Sequence, residues 1–358
     1  MLKTVLKVFF LLFGIFSLSG CSVFNTTASN PVGGVLRSDD SGNTWHFKNK
    51  VSEKKNISGI DILQMAIDPI DTNRIYLGTK AKGIVFSTDK AETWSKMKFP
   101  ANDVYGIGID RFRPGTIYAT GVYRKRGKVF KSVDYGKNWN EIYTEPADGT
   151  KITALSISNS NPEIVYIGTS SGAILKTVDS GNTWRKVYDA KGIISQIAFG
   201  DDLNQTIYVV VYKKKLLISK NSGATFSVAG NNDGNKIFRD AVVFSMAVDN
   251  SDNKNLYVGT NKGFLKSSDK GDHFEKINIL SNFKKFAIRA IAVNPENFQE
   301  IVYGSAQAIY KSNDGGEHWS TFQIDTDKVV GNIKFNPDDV SMIYAGLRSF
   351  GKKKVLTN

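Results

Sequence analysis

The chain has 358 residues, 41% hydrophobic and 11% aromatic, with a formal net charge of +13. That balance excludes a disordered chain and leaves room for one large domain or two. A single cysteine, Cys21, excludes a disulfide framework, thiol catalysis and a cysteine-ligated zinc cluster.

Residues 1–20 combine Lys3 and Lys7 with the apolar run Val8 to Leu18 and lead into Leu18-Ser19-Gly20-Cys21. This is the layout of a signal peptide closed by a bacterial lipobox, and the run falls short of the about 20 residues that span a bilayer. The expectation is cleavage before Cys21 and a diacylglyceryl thioether on its sulfur, with two or more acyl chains giving a stable anchor. Residues 21–34, punctuated by Pro31 and a glycine pair, read as a lipidated tether. The expected address is the extracytoplasmic side of a bacterial envelope membrane.

From residue 35 to 358 an eight-residue box recurs seven times: SDDSGNTW at 38, STDKAETW at 87, SVDYGKNW at 132, TVDSGNTW at 177, SKNSGATF at 219, SSDKGDHF at 267 and SNDGGEHW at 312. The third residues, Asp40, Asp89, Asp134, Asp179, Asn221, Asp269 and Asp314, are separated by steps of 49, 45, 45, 42, 48 and 45. A period near 45 is that of a propeller blade. Between boxes the same series returns: an apolar run, a loop, a tyrosine-marked run such as IVYIGT at 164, a glycine-rich turn, a third run into the box, and a fourth after it. The expected fold is all-β, a single seven-bladed propeller of four-stranded antiparallel blades. The last repeat supplies only its first two strands before the chain stops, so Val35–Ser38, the first box and Trp45–Phe47 are expected to complete that blade and remove an open edge. Lys353–Thr357 competes for the same place.

Within a box the Asp or Asn side chain suits acceptance of turn N–H groups, Gly181 suits a positive φ, and the closing aromatic suits burial between sheets. The closing residues are Trp45, Trp94, Trp139, Trp184, Phe226, Phe274 and Trp319. Ala91 stands where other boxes have glycine, which predicts a strained or differently shaped second turn. These residues resemble the Asp-box, or BNR, repeat family across residues 35–358. The resemblance implies the propeller but not one function, since similar boxes occur in sialidases, xyloglucanases, sortilin ectodomains and the photosystem II assembly and stability factors. Size and blade number look most like the last group, which implies a non-enzymatic propeller that helps build membrane complexes. A sialidase resemblance would call for six blades and an arginine triad; Phe112-Arg113-Pro114 occupies the inter-strand loop that also holds Asp68-Pro69, Asn161-Pro162, Asn294-Pro295 and Asn336-Pro337. Xyloglucanases resemble two such propellers clasping a glucan, and one is present here.

A glycosidase needs a carboxylate pair across a cleft, for which Asp61, Asp103 and Asp240, each preceding an innermost strand, are the candidates. Of the histidines His46, His273 and His318, the last two share one box position in different blades and read as surface turn residues, so no metal or cofactor is expected. Asp249–Asn255 has oxygen ligands at calcium-like spacing without the EF-hand glycine and terminal glutamate. Lysines before the boxes, Lys131, Lys176, Lys266 and Lys311, are expected on solvated strand faces. The hairpins between second and third strands differ from blade to blade. Lys80, Lys82, Arg124, Lys125, Arg126, Lys128, Lys213, Lys214, Lys215, Arg348, Lys352, Lys353 and Lys354 form a candidate binding rim, whereas residues 170–172 and 306–308 carry no charge. The leading expectation is a monomeric, non-catalytic scaffold that meets an acidic protein or an anionic envelope polymer through this rim; nucleic acid is excluded by the exported address. The alternative is a carbohydrate-binding or glycoside-hydrolysing propeller.

Overall fold

A computed structural model describes residues 32–200, 205–230, 238, 241–249 and 255–350. Cys21 and the leader lie outside these residues. Among them the strands form seven four-stranded antiparallel sheets and one two-stranded ribbon, Lys50–Ser52 with Lys55–Asn56. Six of the seven sheets run inner to outer in chain order, as in Ile152–Ile157, Val165–Thr169, Ala173–Thr177 and Arg185–Asp189. Every inner strand touches the inner strands on either side, and the ring closes between Val329–Phe335 and Ile62–Ile67. This is a seven-bladed propeller.

The closing blade takes its inner strands, Val329–Phe335 and Ile343–Arg348, from the C-terminal side and its outer pair, Val35–Ser38 and His46–Phe47, from the N-terminal side. Leu36 pairs with Ala345 and Ser38 with Ile343. The place for which Lys353–Thr357 competed is thus filled; those residues lie outside the described ones.

Second strands are buried on both faces because each is sandwiched between neighbouring sheets, so they read as unbroken apolar runs rather than alternations. Tyr76, Tyr118, Tyr166, Tyr208, Tyr257, Tyr303 and Tyr344 are all at most 1% exposed. Glycines in these strands admit the next blade: a Cβ on Gly168 would stand 2.3 Å from Ile194 Cγ2, and one on Gly304 2.5 Å from Val330 Cγ1. A second recurring device caps the end of the inner strand. Asp68, Asp110, Asn294 and Asn336, all at most 3% exposed, each accept two N–H bonds from the loop that follows, and Ser158 takes the same place with its hydroxyl.

Candidate functional site

The two faces of the ring are built from different connections. On one, each box turn leans on the loop between first and second strands of its own blade, as in Ser180 N–H to Glu163 O at 3.1 Å. On the other, the second-to-third hairpin meets the start of an inner strand, as in Lys80 N–H to Asp61 O at 3.0 Å and Ser170 N–H to Lys151 O at 2.8 Å.

The box face repeats itself. Asp179 Oδ1 accepts from Thr183 N–H at 2.9 Å and Thr177 Oγ at 2.6 Å, its Oδ2 accepts from Thr183 Oγ at 2.6 Å, and Gly181 N–H donates to Thr177 Oγ at 3.0 Å. The same pattern fastens Asp40, Asp89, Asp134, Asp269 and Asp314, and Asn221 keeps it as an amide. The Thr177 and Thr183 hydroxyls with the Thr183 N–H hold Asp179 down to about 2, and hydrogen bonds led by the Asn138 N–H do the same for Asp134. Ala91 keeps the turn's shape by accepting a φ of 71°, and its N–H still reaches Ser87 Oγ at 2.9 Å. His273 and His318 replace the threonine hydroxyl, with Nδ1 at 2.6 and 2.7 Å from Asp269 and Asp314. Trp94 is 1% exposed, Trp45 and Phe274 are buried, and Trp139, Trp184, Phe226 and Trp319 are half-buried.

The lysines before the boxes are not on solvated faces. Lys131 and Lys176 are half-buried and donate to Ser180 O and Ser222 O of the next blade's box, at 3.3 and 3.1 Å, beside Tyr118 and Tyr166 hydroxyls that reach the same carbonyls. Lys311 is buried against Glu300 at 3.1 Å. The reason is the sandwich: a side chain leaving the third strand sideways meets the adjacent sheet before it meets water. Lys266, also half-buried, sits 3.8 Å from Glu275.

The opposite face does not repeat. Asp61 is bound by Lys328 Nζ at 3.2 Å and by Ser349 N–H at 2.9 Å, tying the first blade to the last. Asp103 is bound by Lys151 Nζ at 2.9 Å and by Ala81 N–H at 3.0 Å. Burial pushes both carboxyls up, yet the hydrogen bonds and the lysines outweigh it and both end below the ordinary carboxylate range. Asp240 lies outside the described residues, as do positions 250–254 of the calcium-like loop; Asn255 donates to Asp249 at 3.0 Å.

On the rim, Lys80, Lys82, Arg124, Lys125, Arg126, Lys213 and Lys214 are exposed, while Lys128 and Lys215 are half-buried. Arg126 pairs with Asp148 and Lys128 with Glu141, both at 2.6 Å, and Lys214 donates to Lys191 O. Lys352, Lys353 and Lys354 lie outside the described residues. Arg348 leaves the rim and turns to the channel mouth, where its guanidinium carbon stands 4.4 Å from the Phe350 ring centre.

Two positions in the channel carried no signal in the linear pattern. Six inner strands share a register irregularity that skips their second or third residue: Leu63, Thr153, Ser195, Phe244, Arg289 and Gly331. Such a bulge re-aims a side chain, and Arg289 is the one charged member. It donates to Tyr212 Oη at 2.8 Å and lies 3.8 Å from the Phe350 ring centre and 5.7 Å from that of Phe244. Deeper in the channel, the position paired with the second strand is Ala66, Gly108, Ser156, Ala198, Ala247 and Ala292 in six blades and Lys334 in the seventh. The Lys334 side chain is exposed to the channel, but desolvation by the surrounding strands lowers its ammonium. Aligning the blades would have exposed both cations as departures from small or neutral residues.

No family model matches the chain. A probable oligoxyloglucan-reducing end-specific xyloglucanase of Neosartorya fischeri is 34% identical over 89 residues, 23% of this chain and 11% of that protein. Xyloglucanase Xgh74A of Acetivibrio thermocellus is 32% identical over 142 residues, 32% of this chain and 17% of that protein. The chain therefore spans less than a fifth of these curated relatives. The solved GH74 xyloglucanase of Xanthomonas campestris superposes with a TM-score of 0.67 at 14% identity, covering 81% of this chain and 51% of that one. YCF48 bound to D1 peptide superposes at 0.59 and 17% identity, covering 81% and 94%. These structures share the fold. The curated matches overturn the expectation of a non-catalytic scaffold, because the relatives named for this sequence are glycoside hydrolases rather than assembly factors.

Proposed function

We propose that this chain is a carbohydrate-directed propeller with glycoside hydrolase activity, working at the channel mouth on the face of Asp61 and Asp103. The observation that carries the reading is the match of its repeats to xyloglucanases. The site chemistry is compatible with it. Hydrolysis of a glycosidic bond uses two carboxyl groups, one ionised and one protonated. Both aspartates are held ionised by a neighbouring blade's lysine. A sugar hydroxyl that displaces Lys151 from Asp103 removes the leading interaction that lowers that carboxyl, whereas Asp61 keeps its bonds from the Ser349 N–H and hydroxyl when Lys328 is displaced. One residue then stays a base or nucleophile while the other becomes the acid. The test is release of reducing ends from a panel of xyloglucan, β-glucans and uronate-containing polysaccharides. Activity that falls by about a hundredfold or more in Asp61→Asn or Asp103→Asn supports the assignment; a panel left wholly intact removes it.

The leader and Cys21 support export and lipid anchoring, which loss of acyl labelling in Cys21→Ala would test. The exposed hairpin cations Lys80, Lys82, Arg124, Lys125 and Arg126 support docking on an anionic partner of the envelope. Reversing Arg124, Lys125 and Arg126 to glutamate should weaken capture from native membranes, and undiminished capture removes the rim from the account.

A further inference from the structure

The channel mouth holds two arginines that form no ion pair with an acid among the described residues. Arg348 is half-buried, its Nε is shut off from solvent without a hydrogen-bond partner, and burial pulls its guanidinium down from the usual range. Arg289 has a phenol oxygen and ring faces as its neighbours. Among the described residues neither makes a salt bridge, whereas Arg37, Arg74, Arg113 and Arg126 all do. Because both stack on the one Phe350 ring, the two guanidinium carbons lie within about 8 Å of each other. Two like charges this close in a partly desolvated site are unfavourable without a counter-anion.

The surroundings say what kind of anion fits. Tyr212 and Phe244 form an edge-to-face pair with ring centres 6.5 Å apart beside Arg289, and Ser195, on the inner strand next to that of Phe244, has a buried hydroxyl without a partner among the described residues. Tyr212, Tyr105, Arg289 and Asp61 all stand near enough to act on the charge of Arg348, so residues from the first, second, fourth, sixth and seventh blades converge on one mouth. A planar fork of N–H donors matches a carboxylate in bidentate fashion, and aromatic faces with hydroxyl groups match a sugar ring.

We propose that Arg289 and Arg348 bind the carboxylate of an acidic sugar, so that the glycan this propeller takes carries uronate groups and is not a neutral polymer. The assignment rests on the carbohydrate reading above and adds the charge of the substrate to it. Tyr212 and Phe244 supply the stacking surface, and the bulge at Arg289 aims its fork at the ring.

Titration calorimetry on the purified chain tests it with a galacturonate oligosaccharide, its methyl ester, a neutral xyloglucan oligosaccharide and inorganic phosphate. The acid should bind about 10- to 100-fold more tightly than the ester, the difference of one charge-assisted bidentate contact. Arg348→Gln and, with its charge and stem retained, Arg289→Lys should each erase most of that difference. Equal binding of acid and ester, or unchanged selectivity in a folded Arg289→Lys variant, overturns the acidic sugar while leaving the glycan reading intact. Phosphate displacing the oligosaccharide at equal concentration makes this a simple anion site and overturns the sugar assignment. No binding of any saccharide overturns both readings.

Discussion

The box face and the channel-mouth face are made by the same seven blades, yet they obey opposite rules. At the boxes the turn carboxylates and carbonyls are answered within their own turn or by the next blade: Asp179 by Thr177 and Thr183, and the Ser180 carbonyl by Tyr118 and Lys131, with Trp184 Nε1 and Tyr76 Oη as buried exceptions. At the mouth, equivalent positions hold different residues, and Arg348 keeps a buried N–H with no acceptor among the described residues. A unit that repeats with its bonds closed is a fastener. A position that breaks the repeat is expected at a functional or a strained site.

Substitutions on the two faces should therefore separate. Trp94→Ala removes a side chain that is 1% exposed and donates from Nε1 to Lys48 O at 2.7 Å. It should cost about 3–5 kcal/mol by chemical denaturation, and a loss under 1 kcal/mol would mean the box aromatic is not a wedge between blades. Ser87→Ala comes next. Its buried hydroxyl accepts the Ala91 N–H and donates to Asp89, so the orphaned N–H should cost about 1–3 kcal/mol.

Acid should loosen the box face as a whole. Asp40, Asp134, Asp179 and Asp269 have folded values of about 2 against a reference of 3.8. A lowered carboxyl contributes stability that is fully present above its unfolded value and is lost as pH falls through the folded one. The melting temperature should thus hold from pH 7 to about 5 and drop between about pH 4 and 2. The Asn221 box does not titrate, so replacing further box aspartates by asparagine should flatten the drop, and an unchanged drop would assign acid sensitivity elsewhere.

The smallest effect is expected at the mouth. Arg348→Met removes a half-buried guanidinium with an unanswered N–H while keeping apolar bulk. Its stability should stay within about 1 kcal/mol of the parent or exceed it, since breaking no ion pair costs nothing. A loss comparable to that of Ser87→Ala would make Arg348 one more structural strut and erase the contrast between the faces.

Much of the fold was legible in the sequence. The spacing of the boxes set seven blades of four strands, and the truncated last repeat required Val35–Ser38 to complete it. Such features are local, because a turn's hydrogen bonds and a strand's alternation are encoded within a few consecutive residues. Lys176 and Lys311 escaped that logic: a strand pattern marks a side chain as leaving the sheet without saying whether water or another sheet lies beyond. The same holds at the mouth. Arg289 donates to Tyr212 across 77 positions of sequence. Local bonding fixed the box as a fastener from sequence alone; only closure of the ring, which brings distant blades around one axis, decided which cations share a site and go unanswered there.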